Sequence, residues 1–137
     1  MNKYIKLKEQ HQKEVNEFPI MFAFSNEQFK EGMDKLGIRS EAELVSIGYG
    51  GFVRKTDAKA YMTMLARMSY EEKEAMKDPE YCYEAFLYEL GNMEYCITGD
   101  LGDVLGALGL TEEEVMKNSM LCDALRRAER DYLKECD

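Results

Sequence analysis

Apolar residues recur along this chain at two spacings, and the changes between them predict its elements. Tyr4, Leu7, His11, Val15 and Phe18 fall on one side of a helix, with lysine, glutamate and glutamine mostly elsewhere, and Pro19 ends the pattern. FPIMFAF (18–24) is then apolar over a length too short for a core helix and reads as a short buried strand or extended segment. Ser25-Asn26-Glu27-Gln28 has the form of a capping box; Phe29, Met33 and Leu36 supply the stripe of the helix that follows, and Gly37 stands at its left-handed cap. Ser40-Glu41-Ala42-Glu43 repeats the signature and predicts a shorter helix through Leu44, Val45 and Ile47.

SIGYGGFVRKTD (46–57) brings three glycines close to Arg54 and Lys55, the composition of a phosphate cradle. A Walker-type loop needs glycine directly before its lysine, and here Phe52-Val53-Arg54 intervenes. A dinucleotide turn needs a strand before the glycines and a helix after them, whereas Leu44–Ile47 reads as helical and Phe52-Val53 as extended. The glycines are therefore expected to form a positive-φ turn that exposes Tyr49 and launches a strand over 51–54. Gly50, Gly51, Arg54 and Lys55, within the 48–55 loop, stand as the alternative, a candidate anion site.

Beyond it, Thr56 or Asp57 is expected to cap a helix with Ala60, Met64 and Met68, or Tyr61, Met62 and Leu65, facing the core. Ser69-Tyr70-Glu71-Glu72 reads as a third capping box opening an acidic helix, and Asp78-Pro79 as a fresh helix start. The run EYCYEAFLYEL (80–90) is apolar on nearly every side and is the expected central helix. Met93–Thr98 alternates like a strand, and Asp100 is placed to cap DLGDVLGALGL, whose Gly102 and Gly106 are expected to allow close helix contact. Thr111 opens a fourth capping box before a final stripe of Leu121, Ala124, Leu125, Ala128 and Tyr132, with a break expected near Asn118-Ser119. Together these predict one α+β domain over 1–137, mostly helical with about six or seven helices, around a small two- or three-stranded sheet.

Charge changes the picture from fold to partner. The net charge is −9, yet residues 1–68 hold 11 basic against 9 acidic side chains, and 69–114 hold 13 acidic against two basic. That bias argues against direct nucleic-acid binding, which rests on neutralising phosphates, and suits a basic protein partner. No apolar run approaches the roughly 18 to 20 residues that cross a bilayer, and the start has no secretory pattern, so a cytoplasmic protein is expected.

Candidate chemistry is sparse. Cys82, Cys96, Cys122 and Cys136 are spaced by 14, 26 and 14 positions, which fits isolated thiols better than a zinc or disulfide framework. His11 is the one histidine, so a metal site or catalytic triad lacks its usual ligand or base. Asp100 and Asp103, and Glu112 to Glu114, sit in first turns where the helix dipole favours acids without any catalytic purpose. No catalytic residue, metal or cofactor is assigned.

At FPIMFAFSNEQFKEGMDKLGI, GGFVRKTD, EYCIT and ALGLTEEE, spanning Phe18 to Leu133, the chain resembles a group of small proteins encoded by bacteriophages and mobile elements. That group has no assigned activity, so the resemblance transfers no site residues. It implies work inside a bacterial host, in the manner of anti-CRISPR proteins that bind and block Cas nucleases. The reading that follows is a non-enzymatic inhibitor that presents Glu71, Glu72 and Glu74, with Tyr49 and Tyr70 as aromatic anchors, to a basic host protein such as a CRISPR nuclease. A nucleotide- or phosphate-responsive regulator or enzyme using the glycine loop is the alternative, and a self-associating assembly factor the next.

Overall fold

The structure, a computed structural model, describes residues 2–136. In chain order the elements are α1 Lys3–Glu17, β1 Met21–Phe22, α2 Asn26–Leu36, a 3-10 turn at Glu41–Glu43, β2 Leu44–Gly48, β3 Gly51–Arg54 and α3 Lys55–Ala75. Then come α4 Pro79–Asn92, α5 Tyr95–Thr98, α6 Leu101–Ala107, α7 Glu112–Lys117 and α8 Ser119–Glu135. The fold is the mostly helical α+β class that the patterning predicts, with eight α-helices and one three-stranded antiparallel sheet among the described residues.

Short polar side chains set most helix starts, because each satisfies an amide that the first turn leaves unbonded. The Ser25 hydroxyl accepts from the Gln28 amide at 3.2 Å, and Asp78, Asp100, Thr111 and Asn118 do the same for α4, α6, α7 and α8. Gln28 completes its box one residue early, its Oε1 accepting from the Phe24 amide at 2.8 Å. The chain divides into two compact units, Gln10–Tyr70 and Met1–Glu9 with Glu71–Asp137.

In the Gln10–Tyr70 unit the strand order is β1-β3-β2, with Met21 opposite Phe52 and Val45 opposite Val53. Val53 and Met21 are buried with Ile38, Met64 and Met68. Gly32, in the middle of α2, is a packing position: a Cβ there would lie 2.8 Å from the terminal methyl of Met21 and 2.9 Å from its Cβ. Without it, α2 could not lie so close to β1.

Two expectations fail in this unit. Leu44–Ile47 is not helical: Ser40 caps a 3-10 turn that ends at Glu43, and the β-branched Val45 and Ile47 continue into β2, paired with β3 across Gly48-Tyr49-Gly50. A short local signature cannot outweigh the backbone hydrogen bonds of a paired strand, even one whose register shifts between Ser46 and Gly48. Nor does Ser69 start a helix, since α3 runs unbroken from Lys55 through Ser69 to Ala75. Nothing in Ser-Tyr-Glu-Glu forces the backbone out of the helical region, so the helix continues to Ala75, and a turn leads from there to Asp78-Pro79.

The other unit is built on α4 and α8. Cys82, Phe86 and Leu90 from α4 interlock with Leu121, Ala124, Leu125 and Ala128 from α8, and Val104, Leu105 and Val115 close the core from α6 and α7. Each large apolar side chain so buried contributes roughly 1.5–3 kcal/mol. The two long helices are also pinned at the surface: Tyr83 donates to Asp131 at 2.7 Å while Arg127 lies 3.9 Å over its ring. That hydrogen bond holds the Tyr83 hydroxyl above, and the Asp131 carboxyl below, its ordinary pKa.

Here too the sequence reading needs correction. Met93–Thr98 is not a strand. Glu94 and Gly99 both take left-handed conformations, with φ 52° and 66°, and enclose the single turn α5. Tyr95 and Cys96 then bond to α8, through Glu129 and Tyr132, in place of a sheet neighbour. Gly102 and Gly106 do not bring helices together, since a Cβ would meet only the Asp100 carboxylate at the first and open space at the second.

Candidate binding groove

Charge divides as the fold does. The Gln10–Tyr70 unit holds eight acidic and eight basic side chains and is neutral, so the whole −9 belongs to the unit of 1–9 and 71–137. One acid of this charged unit is withdrawn from the surface. Glu89, 1% exposed, accepts from Tyr4 at 2.5 Å and from Asn92 at 3.0 Å, with the Lys8 ammonium 3.8 Å away.

The same unit contains a groove of about 490 Å³ between α6, α7 and α8, a volume in the range of ligand sites. Its floor is apolar, made by Leu101, Leu105, Leu110, Val115 and Leu125. Its rim is mostly acidic: Asp100 and Glu112 are exposed, Glu129 is half-buried, and Arg126 adds one positive group. Met116 stands at the edge, 67% exposed. An apolar floor, in which Leu101 and Leu110 stay half-buried, under a charged rim is the arrangement that takes an amphipathic segment, whose apolar face is buried while its charges stay near water.

Local chemistry fixes the walls. The Asp100 carboxylate accepts from the Gly102 amide at 2.8 Å and so is held at the mouth of α6. Thr111 accepts from the Glu114 amide and donates to its carboxylate, and Asn118 starts α8 immediately after α7 ends, which makes the corner under Val115. Tyr95 donates to Glu129 at 3.2 Å from outside the groove. Burial first, and then that carboxylate, push the Tyr95 hydroxyl above its ordinary pKa.

The residues singled out from sequence lie elsewhere. Glu71, Glu72 and Glu74 occupy the last turns of α3, Glu71 half-buried and the other two exposed, with Glu74 paired to Lys77 at 2.8 Å. Tyr70, 65% exposed, precedes them on the same helix. Tyr49 belongs to the neutral unit, where it is 97% exposed at the tip of the hairpin with φ 52°. Two further aromatics are exposed in that unit, Phe22 and Phe24 on and beside β1. The groove was not read from the sequence because its lining comes from three helices and the turns between them, residues 100 to 129, which no local pattern brings together.

The glycine loop is a hairpin turn. Gly48 and Gly50 have φ of 89° and 77°, the Gly48 amide donates to Ser46 Oγ, and the Gly50 carbonyl accepts from the Ala23 amide. Arg54 is engaged by Asp57 at 2.7 Å and reaches the Leu36 carbonyl at 3.4 Å. Lys55 and Thr56 open α3 beside a hollow of about 240 Å³ that Arg54 also lines.

Among the described residues no three His, Cys, Asp or Glu side chains are grouped to hold a metal ion, and no helix is long and apolar enough to cross a membrane. Neither the curated proteins nor the solved structures contain a match to this chain. Residues 3–131 match the model of a family of unknown function, DUF7659, and the chain belongs to that family.

Proposed function

We propose that this chain is a non-enzymatic binding protein whose groove between α6, α7 and α8 takes a basic amphipathic segment of a partner protein. The observation that carries the reading is the coincidence of an apolar floor with an acidic rim, in the unit that bears all of the net charge. Leucines and Val115 would bury the partner's apolar side chains, and Asp100, Glu112 and Glu129 would meet its lysines or arginines at the edge. Rim charges of this kind raise the association rate and select against acidic partners, more than they add affinity. Glu71, Glu72 and Glu74 extend the negative field on the same unit and favour encounter over docking.

The resemblance to phage and mobile-element proteins makes nucleic-acid enzymes of a bacterial host the first partners to test. Their basic channels carry the complementary charge, and a CRISPR nuclease is the leading member of that class. Direct binding measured against a purified Cas nuclease and against a basic amphipathic helical peptide should weaken as salt rises. Glu112→Lys with Glu129→Lys should reduce affinity at least tenfold, whereas reversing Glu71, Glu72 and Glu74 should mainly slow association. Binding to neither ligand, or groove reversals that leave Kd unchanged, would remove the proposal.

A second reading, a phosphate-responsive regulator, has the hollow beside Arg54, Lys55 and Thr56 in its favour. Any anion there competes with Asp57 for the Arg54 guanidinium. A nucleotide and phosphate panel that leaves the melting temperature unchanged would count against it, since a ligand held only by the folded state must raise that temperature.

A further inference from the structure

The three-stranded sheet has two edges, and they differ. β2 is the outer strand on one side, and its register shifts between Ser46 and Gly48, an irregularity that hinders pairing with another chain. β1 is outer on the other side and pairs with β3 in regular register. Phe22 lies opposite Gly51, and the next residue, Ala23, gives its amide to the Gly50 carbonyl at 2.9 Å. Bonded and unbonded pairs alternate along an antiparallel ladder, so Met21 bonds to Phe52 while the amide and carbonyl of Phe22 point away from β3. The edge closes at Phe24, whose amide is taken by the Gln28 side chain.

Apolar surface surrounds these backbone groups. Phe22 and Phe24 are exposed, and their rings rest against the glycine hairpin: a Cβ on Gly51 would lie 3.1 Å from the Phe22 ring, and one on Gly50 2.5 Å from that of Phe24. A hollow of about 350 Å³ opens between β1 and α2, with Ile20, Gly32 and Leu36 in its walls and Glu31 and Lys35 at its rim. Glu31 and Lys35 are exposed and one helical turn apart. Gly32 lies against Met21, so the middle of that acid–base pair is level with β1. Outward-facing edge amides beside exposed aromatics are the features of a strand-pairing surface.

We propose that the β1 edge pairs with the β1 edge of a second copy of this chain, antiparallel about a two-fold axis through Phe22, joining two three-stranded sheets into one of six strands. Charge selects this occupant. The Gln10–Tyr70 unit holds eight acidic and eight basic side chains, so two copies of it meet without net repulsion. With the axis at Phe22, the two Phe22 residues exchange both bonds, amide to carbonyl and back. Ile20 of each chain comes opposite Phe24 of the other, on the face that Phe22 shares, and these apolar side chains cover one another. On the opposite face, where Met21 meets Gly32, the two α2 helices run antiparallel. Glu31 of each copy then faces Lys35 of the other, because the axis passes between them. One patch is thus complementary to itself in hydrogen bonding, apolar surface and charge, as an isologous interface must be. The surface lies within the neutral unit and does not depend on the groove or its occupant.

The test is sedimentation equilibrium of the full-length chain under reducing conditions, from low micromolar to near-millimolar concentration, where a reversible monomer–dimer equilibrium is expected. Phe22→Pro removes the outward amide while leaving the bonds from Met21 and Ala23 to β3, and should abolish the dimer. Because that variant also changes the backbone, the charge pair gives a second test at exposed positions. Glu31→Lys alone and Lys35→Glu alone should each raise the dimer Kd about tenfold, since either reversal spoils two exposed pairs at once. The two combined exchange the charges and should restore the wild-type Kd. Glu112→Lys with Glu129→Lys, in the groove, should leave the dimer intact. A chain that stays monomeric at the highest concentration would overturn the proposal and leave the β1 edge to an extended peptide of another protein. So would a dimer that withstands Phe22→Pro and both single reversals, one that the combined exchange fails to restore, or one that the groove reversal dissociates.

Discussion

Tyr4 donates its hydroxyl to the buried carboxylate of Glu89 at 2.5 Å, and this bond fastens the first turns of α1 to the central helix α4. The two residues are 85 positions apart, and Tyr4 is itself buried against Tyr81 and Ala85. Lys8 lies 5.1 Å from the Tyr4 ring centroid and 5.7 Å from that of Tyr88, so the carboxylate, the phenol, the cation and the second ring form one group. Removing the phenol oxygen leaves Glu89 with Asn92 and a more distant ammonium. Tyr4→Phe should therefore lower the unfolding free energy by about 1–3 kcal/mol, the cost of a buried acceptor losing its donor. Urea melts check this, and Tyr4→Phe combined with Glu89→Gln should cost less than the two single effects added together.

Alkaline pH should act on the same group. Burial first, and then the Glu89 hydrogen bond, push the Tyr4 hydroxyl well above its ordinary value; burial likewise raises Tyr81 to about 12 and Cys82 to about 11. Each of these stays protonated in the folded chain at a pH where its unfolded counterpart has ionised. Their contribution is fully present below about pH 9 and is lost as pH rises through about 12. Melting temperatures should thus fall across that window, and Tyr4→Phe should flatten the fall. A flat alkaline limb in the wild-type chain would contradict the placement of these groups.

The hairpin gives a separate prediction. Gly50 has φ 77°, and a Cβ there would lie 2.5 Å from Cε1 of Phe24. Gly50→Ala should destabilise by about 1–2 kcal/mol through the left-handed backbone alone, with the steric overlap added. Phe24, 77% exposed, can be removed at little cost. Phe24→Ala should therefore recover the overlap part of the loss and leave the backbone part, as denaturant midpoints of the single and double variants would show.

Core and groove should respond differently to substitution. Phe86→Ala, at a fully buried position on α4, should cost about 3–5 kcal/mol. Met116→Lys at the exposed groove edge should change stability by no more than about 0.5 kcal/mol, yet weaken a basic partner by placing a like charge at the rim. Thermal melts and binding isotherms on the same samples would separate the two effects.

Much of the helical framework was legible before the fold was known. The stripes of α1, α2, α4 and α8, the caps at Ser25, Asp78, Asp100 and Thr111, and the break at Asn118 follow from side chains acting within one or two turns of themselves. Local interactions suffice there because a cap or a 3.6-residue period needs no distant partner. The short segments went wrong for the opposite reason. Leu44–Ile47 is a strand because β3 lies beside it, and Met93–Thr98 is a helical turn because Tyr95 and Cys96 find α8.

The −9 charge and its bias toward the second half can be counted on the chain. That it belongs to one unit, that Glu89 is hidden from it, and that Asp100, Glu112 and Glu129 ring an apolar hollow are consequences of packing. So is the meeting of the Cys96 amide with the Tyr132 hydroxyl. Such sites join residues tens of positions apart, and no local propensity specifies which distant side chains share a surface. That choice is made when helices bury their apolar faces against one another and carry their polar faces with them.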